Sequence, residues 1–344
     1  MKVLVIRLGA VGDIIRTVPA VLFLKRIKNL SISWIAEDWA CNLLENHPDI
    51  DKLYIVPRKN YRKIFGILKE IRKEHFDYIL DFHGILKSGL ISYFSGVRKR
   101  IGYSKVNCKE FNFLFNNIKA PEISEKVTRI EKNFNLLKPI IEKFNIPEKL
   151  ETNFFIDNEK ERYIDNFFKN LSKYKIKIGI NPCTSRSGSY KEWPLPYYKK
   201  FISNISRYFG KNEVCFIITW GPGEYEKVKF LKGDDNIYLA PKTDMKELLV
   251  LISKLDVFIT GDTGPMHLAS VLNIPVLALF GPSDSEVNRP WGKLNRVVKV
   301  DVGCNPCRNK KCKNLKCQYE LTPEYVFENF KDFFKNIQKL TSSD

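Results

Sequence analysis

VFITGDTGPMHLASVLNIPVLALFG, residues 257–281, is the stretch that decides the fold. VFIT is a β-branched and aromatic run of the kind that fits a buried strand, and IPVLALFG at 274–281 is a second one. Between them Pro265 suits the first position of a helix, with Thr263 placed as its cap. Strand, turn, helix and strand in this order form a βα unit, and a succession of such units builds a parallel sheet.

The same alternation continues outward. Upstream lie KIKIGINP (175–182), EVCFIITW (213–220) and NIYLAP (236–241), and downstream RVVKVDV (296–302). Before a polar, charged helical stretch at 124–173, the first half repeats the pattern. Its strands are KVLVIRL (2–8), SISWIAE (31–37), KLYIVP (52–57), DYILDFH (77–83) and KRIGY (99–103). A chain of 344 residues exceeds what one core usually organises. The reading is therefore α/β, with two Rossmann-like parallel-sheet domains at 1–170 and 171–322. A last segment opens with Thr322 and Pro323 and presents Val326, Phe327, Phe330, Phe333, Phe334 and Ile337 as an apolar helical stripe that must dock.

Composition narrows the class. Apolar residues at 44% and aromatics at 13% exclude a disordered or fibrous chain. No run approaches the roughly 18 apolar residues of a bilayer span, and Arg7 closes the first apolar stretch too early for a signal peptide, so the expected location is the cytosol. Lys and Arg number 57 against 39 acids, a net charge of +18, which implies a polyanionic partner or an anionic membrane surface. The excess clusters at 58–73 and 98–109, where a merely solvated face is the plainer alternative.

Four of the eight cysteines, Cys304, Cys307, Cys312 and Cys317, follow the spacing CxxCxxxxCxxxxC. In a reducing compartment such a cluster reads first as metal ligands, with Zn or Fe as the expected structural ion. Arg308, Lys310, Lys311, Lys313 and Lys316 lie inside it, so a basic RNA-binding protein with a zinc-knuckle-like module is the rival from another class. Only Tyr319 stands nearby as a stacking aromatic, and no nucleic acid is expected.

Candidate site residues follow the strand ends, where open parallel sheets bind ligands. Gly9, Ala10, Val11, Gly12 and Asp13 occupy a phosphate-loop position without the GxGxxG spacing. Asp13 is either a helix cap or a carboxylate at an interdomain cleft able to take a proton from an acceptor hydroxyl. Glu37 and Asp38 end the second strand and offer a weak case for a dinucleotide enzyme. In the second half Asp262, Thr263, Gly264, Met266 and His267 surround a helix start that favours an anionic or hydroxyl-rich ligand. Thr184, Ser185, Arg186 and Lys191 supply hydroxyls and cations suited to a diphosphate, and Glu224 a carboxylate suited to a ribose diol.

RLGAVGDIIRTVPA, DFHGILKSGL, KEWP, WGPGE and GDTGPMHLASVLNIPVLALFGPSD together resemble the bacterial lipopolysaccharide heptosyltransferases, glycosyltransferase family 9. The resemblance implies a GT-B architecture, with an N-terminal acceptor domain, a C-terminal donor domain and a final helix at 323–344 crossing back onto the N-terminal domain. It implies an inverting glycosyltransferase that moves a heptose from ADP-heptose to a Kdo or heptose acceptor of the inner core. A family-related enzyme acting on another glycan or on protein is the alternative. Asp13 then matches the catalytic base, Lys191 the phosphate-binding lysine, and Glu224 the ribose carboxylate. Asp262, Thr263, Gly264, Met266 and His267 match the donor loop, Thr184 and Ser185 the phosphate-binding hydroxyls, and Arg62 and Lys63 an acceptor-binding segment. No cofactor is required for catalysis on this reading. The working place is peripheral, at the inner face of the inner membrane.

Overall fold

The computed structural model describes residues 1–58, 61–307 and 309–341, and all their side chains but those of Tyr61, Arg186, Ser187 and Thr341. The chain divides into two compact units, Met1–Phe155 and Ile156–Asp344.

In the first unit β1 (Lys2–Ile6) leads into α1 (Val11–Lys28) and β2 (Ser31–Glu37). Then come β3 (Lys52–Val56), α2 (Tyr61–Lys73), β4 (Tyr78–Asp81), α3 (Leu86–Phe94), β5 (Lys99–Gly102), β6 (Ile118–Lys119) and α4 (Arg129–Asn135). The sheet is parallel throughout, in the order β3-β2-β1-β4-β5-β6. Val3, Leu4, Val5 and Ile6 are all inaccessible, as expected for a strand covered on both faces.

The second unit starts with α5 (Asn158–Lys169), β7 (Ile176–Asn181), α6 (Leu195–Phe209), β8 (Val214–Ile218) and α7 (Tyr225–Val228). It continues through β9 (Ile237–Leu239), α8 (Met245–Ser253), β10 (Val257–Gly261), α9 (Gly264–Val271) and β11 (Val276–Phe280). It closes with α10 (Ser285–Asn288), β12 (Arg296–Lys299), α11 (Lys316–Tyr319) and α12 (Pro323–Thr341). Its order, β12-β11-β10-β7-β8-β9, is the same winding as that of the first unit, read from the other edge. In each sheet the connections reverse direction at one place, between β1 and β4 or between β7 and β10. A parallel sheet opens a ligand crevice beyond the carboxyl ends at such a place.

Three features differ from the sequence reading. The boundary falls after Phe155 rather than at 170, because α5 packs on α8 and so belongs to the second unit. The stretch 124–173 is two helices, α4 and α5, with an irregular chain between them. The stripe of α12, which the reading sends to the N-terminal domain, places Val326, Phe330, Phe333 and Ile337 in the core of the second unit, against α6 and β12. Phe330 is wholly buried and meets Phe201 edge to face at 5.9 Å. Burying such a ring is worth about 1.5–3 kcal/mol.

Candidate active site

At the carboxyl end of β1 the chain turns through Leu8–Ala10 into α1, and Asp13 falls in the first helical turn. Ala10 is the cap and offers no side-chain acceptor, so the Asp13 carboxylate does not serve as one. It is instead gripped by two guanidiniums: Arg7 holds one oxygen and Arg16, one turn on, holds the other. Arg7 is itself fixed by donation to the Phe82 carbonyl at 2.5 Å. Burial alone would raise the pKa of Asp13, but the charges of Arg7 and Arg16 outweigh it and hold the carboxyl well below its usual range. The Asp13 side chain keeps 30% of its surface.

The neighbouring strand ends support this arrangement. Asp81 closes β4 wholly buried and accepts five hydrogen bonds. Its Oδ1 takes the backbone N–H groups of His83 (3.0 Å) and Gly84 (3.1 Å). Its Oδ2 takes Ser88 Oγ (3.0 Å), Asn112 Nδ2 (2.7 Å) and Asn116 Nδ2 (3.2 Å). The loop so shaped turns His83 back to β1, where its Nδ1 accepts the Leu8 N–H at 3.2 Å. Burial, reinforced by Arg7, brings the His83 imidazole down to about 4, so it is neutral near pH 7 with its proton on Nε2. Glu37, weighed above as a ribose acid, is already engaged. It pairs with Lys87 at 2.7 Å and accepts from Trp39 Nε1 at 2.5 Å. The Trp39 indole lies so close to Gly9 that a Cβ there would come within 2.7 Å of it. Of the two acids in the dinucleotide reading, Glu37 is therefore taken, and Asp38 accepts the Trp39 N–H at 2.8 Å. Arg62 and Lys63 stand exposed on the first turn of α2, and residues 59 and 60 lie outside the described ones.

In the second unit the ends of β7 and β10 converge. Asp262, following β10, pairs with Lys191 at 2.7 Å, and His267 Nε2 lies 3.9 Å from its other oxygen. Burial raises the Asp262 pKa, but Lys191 and then His267 prevail, so it stays ionised below its ordinary range. Thr263 caps α9, its hydroxyl accepting the Met266 N–H at 3.3 Å. Thr260 at 3.0 Å and Asn181 at 3.5 Å hold that hydroxyl in turn. A Cβ on Gly264 would meet nothing within 4 Å, so the helix start is open. Met266 is inaccessible and serves the core, and its N–H is taken by the Thr263 hydroxyl.

The remaining predicted residues form a second cluster. The Glu224 carboxylate accepts the Gly221 N–H at 2.6 Å, and burial is the main cause that pushes its pKa up. Thr184 gives its N–H to Glu192 Oε1 at 2.9 Å, and its hydroxyl lies 3.4 Å from the same oxygen. Glu192 also pairs with Lys227. Ser185 is exposed, and the side chain of Arg186 lies outside the described ones. The structure thus gathers Lys191, Asp262, Thr263 and His267 at the mouth of α9, a cation and helix amides suited to an anion. Sequence reasoning missed Arg7, Arg16, Asp81, His83 and Glu192. Of these only Arg16, three residues after Asp13 on a helix, carried a local signal.

The structure does not support the metal expectation. Cys304, Cys307, Cys312 and Cys317 are all free thiols. Among the described residues no three His, Cys, Asp or Glu side chains are arranged to hold a metal ion. The four are close enough to interact: burial first, then Cys307, Cys304 and Cys312, push the Cys317 thiol up. Packing holds the segment, since Gln318 beside Cys317 fills the space where a Cβ on Gly281 would stand.

Comparison with known proteins gives the family. The model of glycosyltransferase family 9 (heptosyltransferase) matches residues 64–318. Lipopolysaccharide heptosyltransferase 1 of Campylobacter coli is 31% identical over 311 residues, which cover 87% of this chain and 89% of that protein. Lipooligosaccharide heptosyltransferase 2 of Campylobacter jejuni serotype O:2 is 27% identical, covering 94% of this chain and 96% of the relative. Among solved structures, E. coli heptosyltransferase WaaC with ADP superposes with a TM-score of 0.74 at 20% identity, covering 97% of this chain and 100% of that one. The shared fold is GT-B, two Rossmann-like sheets in one chain.

Proposed function

The chain belongs to glycosyltransferase family 9, the heptosyltransferase family, and from that premise we propose that it is an inverting transferase moving a heptose from ADP-heptose to an inner-core lipopolysaccharide acceptor. The observation that carries the reading is Asp13, a partly exposed carboxylate kept ionised by Arg7 and Arg16 at a strand end of the first unit. The names of the relatives, heptosyltransferases 1 and 2 of lipopolysaccharide and lipooligosaccharide, support the donor and acceptor classes.

In this scheme the acceptor hydroxyl attacks the anomeric carbon as the bond from that carbon to the diphosphate oxygen breaks. ADP leaves with the electron pair, and the hydroxyl proton passes to Asp13. Negative charge gathers on the departing diphosphate, where Lys191 and the open N–H of Gly264 at the start of α9 stabilise it, an effect of a few kcal/mol for one well-placed donor. Asp262 orients the Lys191 ammonium, and Glu224 receives the ribose diol. Protein cations serve the leaving group, and the scheme calls on no cofactor. Thr184 and Ser185 offer hydroxyls to the phosphates, and Arg62 and Lys63 take the acidic sugars of the acceptor. An acceptor of this class is carried on lipid, which sets the enzyme at the cytoplasmic face of a membrane. Among the described residues no helix is long and apolar enough to cross one.

The test is turnover of ADP-heptose with a core acceptor, read as ADP release. Asp13→Asn should abolish transfer while keeping ADP affinity nearly intact. Normal turnover in that variant removes Asp13 from the mechanism.

A further inference from the structure

Helix α3 carries its apolar and polar faces reversed. It buries Ser88, Gly89, Ile91 and Ser92, and turns Leu86, Leu90, Tyr93 and Phe94 outward with 36% to 54% of each exposed. The inner face has a chemical reason. Ser88 donates to the buried Asp81, Ser92 donates to Asn116 Oδ1 at 2.7 Å, and Gly89 admits Phe115, which would lie 2.8 Å from a Cβ there. Ile91 alone of its large apolar side chains joins the core; with the rest of the inside committed to this polar network, the other four have only the outside.

The outward stripe continues onto the adjoining 3-10 turn, Asn112–Leu114, which packs against α3. Here Phe111 and Leu114 are 71% and 68% exposed. Tyr93 links the two elements, with its ring 6.3 Å from that of Phe115. A soluble surface seldom presents so many large apolar side chains together unless something covers them.

Cations surround the stripe. The Arg100 guanidinium lies 5.5 Å over Tyr93, and the Lys105 ammonium 5.8 Å over Phe113. Arg72 of α2 donates to the Phe94 carbonyl at 2.7 Å, and the backbone of Lys109 is tied to Gly84 just before α3. The nearby acid, Glu110, is used to accept the Leu86 N–H at 3.2 Å. Leucine and aromatic side chains ringed by Lys and Arg match the two layers of an anionic bilayer surface, acyl boundary inside and phosphate outside.

We propose that this face of the first unit, the stripe Leu86, Leu90, Tyr93, Phe94, Phe111 and Leu114 with its basic rim, seats the enzyme on an anionic lipid surface. The proposal deepens the lipid-borne acceptor reading and rests on it. Charge complementarity selects the occupant, because a second copy of the chain would bring one basic rim against another.

The full chain is sedimented with phosphatidylcholine vesicles, with and without phosphatidylglycerol. Wild type should bind the phosphatidylglycerol vesicles, and added salt should weaken that binding. L90E/F94E on the helix and F111E/L114E on the turn should each lower partitioning by about tenfold or more, as expected for removing two apolar side chains from an interface. Their circular dichroism and ADP affinity should stay those of wild type. Absence of wild-type binding, or undiminished binding by both folded variants, overturns the proposal. So does sedimentation equilibrium showing a wild-type dimer that both variants dissociate while still binding vesicles. Transfer to a delipidated, water-soluble core acceptor separates the two readings. Transfer without vesicle binding sinks the surface and keeps the activity, and vesicle binding without transfer to any acceptor does the reverse.

Discussion

Replacing Asp81 with Asn tests how far the first site depends on one buried carboxylate. The amide puts an NH2 where one acceptor oxygen stood. On the Oδ1 side it would face the backbone N–H groups of His83 and Gly84, which cannot turn away. On the Oδ2 side Ser88 can redirect its hydroxyl to the Ile85 carbonyl at 2.9 Å. The amides of Asn112 and Asn116 nevertheless lose their acceptor there. The second placement is the cheaper one: Asn112 keeps the Ile85 carbonyl at 2.8 Å and Asn116 keeps Asn112 Oδ1 at 3.1 Å, so each strands one N–H, at about 1–3 kcal/mol apiece and about 4 kcal/mol in total. For a unit of this size that lowers the midpoint of thermal unfolding by about 8–16 °C. Scanning calorimetry of the full chain should show the transition of the first unit moving down and that of the second unit staying in place. Transfer should fall as well, because the Phe82 carbonyl that anchors Arg7 belongs to the same loop. A shift under about 3 °C would show that the network relaxes around the amide and that the accounting of donors is wrong.

Two other outcomes follow from the sites. His83 is neutral in the folded chain down to about pH 4, against an ordinary value of 6.5, so the unfolded state binds the extra proton first. Its contribution to stability is complete above pH 6.5 and declines as the pH falls toward 4, by at most about 3 kcal/mol; urea unfolding at pH 7 and 4.5 should show His83→Gln losing less across that interval than wild type. Lys191→Met should weaken ADP binding about tenfold or more, the worth of one charge-assisted hydrogen bond, while Lys191→Arg keeps most of it; equal affinity in titration calorimetry would remove Lys191 from the phosphate site.

The strands were legible because a strand covered on both faces must be apolar along its whole length, which marks it in the sequence. β6 was missed because it is two residues long, Ile118 and Lys119, and no period can be read from two residues. α5 looked like the end of the first domain because its polar surface hides its partner; only its packing on α8 assigns it to the second unit. Asp13 was visible as an acid after the first strand, but Arg7 reaches it only because the turn at Leu8–Ala10 brings the end of β1 beside the start of α1. Asp81 was hidden for a related reason, since Asn112 and Asn116 stand 31 and 35 residues away in sequence. The cysteines show the opposite failure. Regular spacing states which thiols are near along the chain, and α11 turns Cys317 inward while Cys304 stays exposed.

A base gripped by two guanidiniums looks poorly suited to taking a proton, and the proposed chemistry removes the difficulty. As the acceptor oxygen bonds to an oxocarbenium-like carbon, its remaining hydrogen becomes far more acidic than that of a free alcohol, so a weak base suffices if the transfer is late. What the base must not do is arrive protonated. Burial pushes the Asp13 carboxyl toward its protonated form, and Arg7 and Arg16 reverse that shift, which leaves a wide margin over the roughly half pH unit by which an anionic bilayer surface near −30 mV enriches protons. The guanidiniums thus give up proton affinity that the late transfer does not use. In exchange they secure the ionised form at the surface that the reversed face of α3 is proposed to occupy.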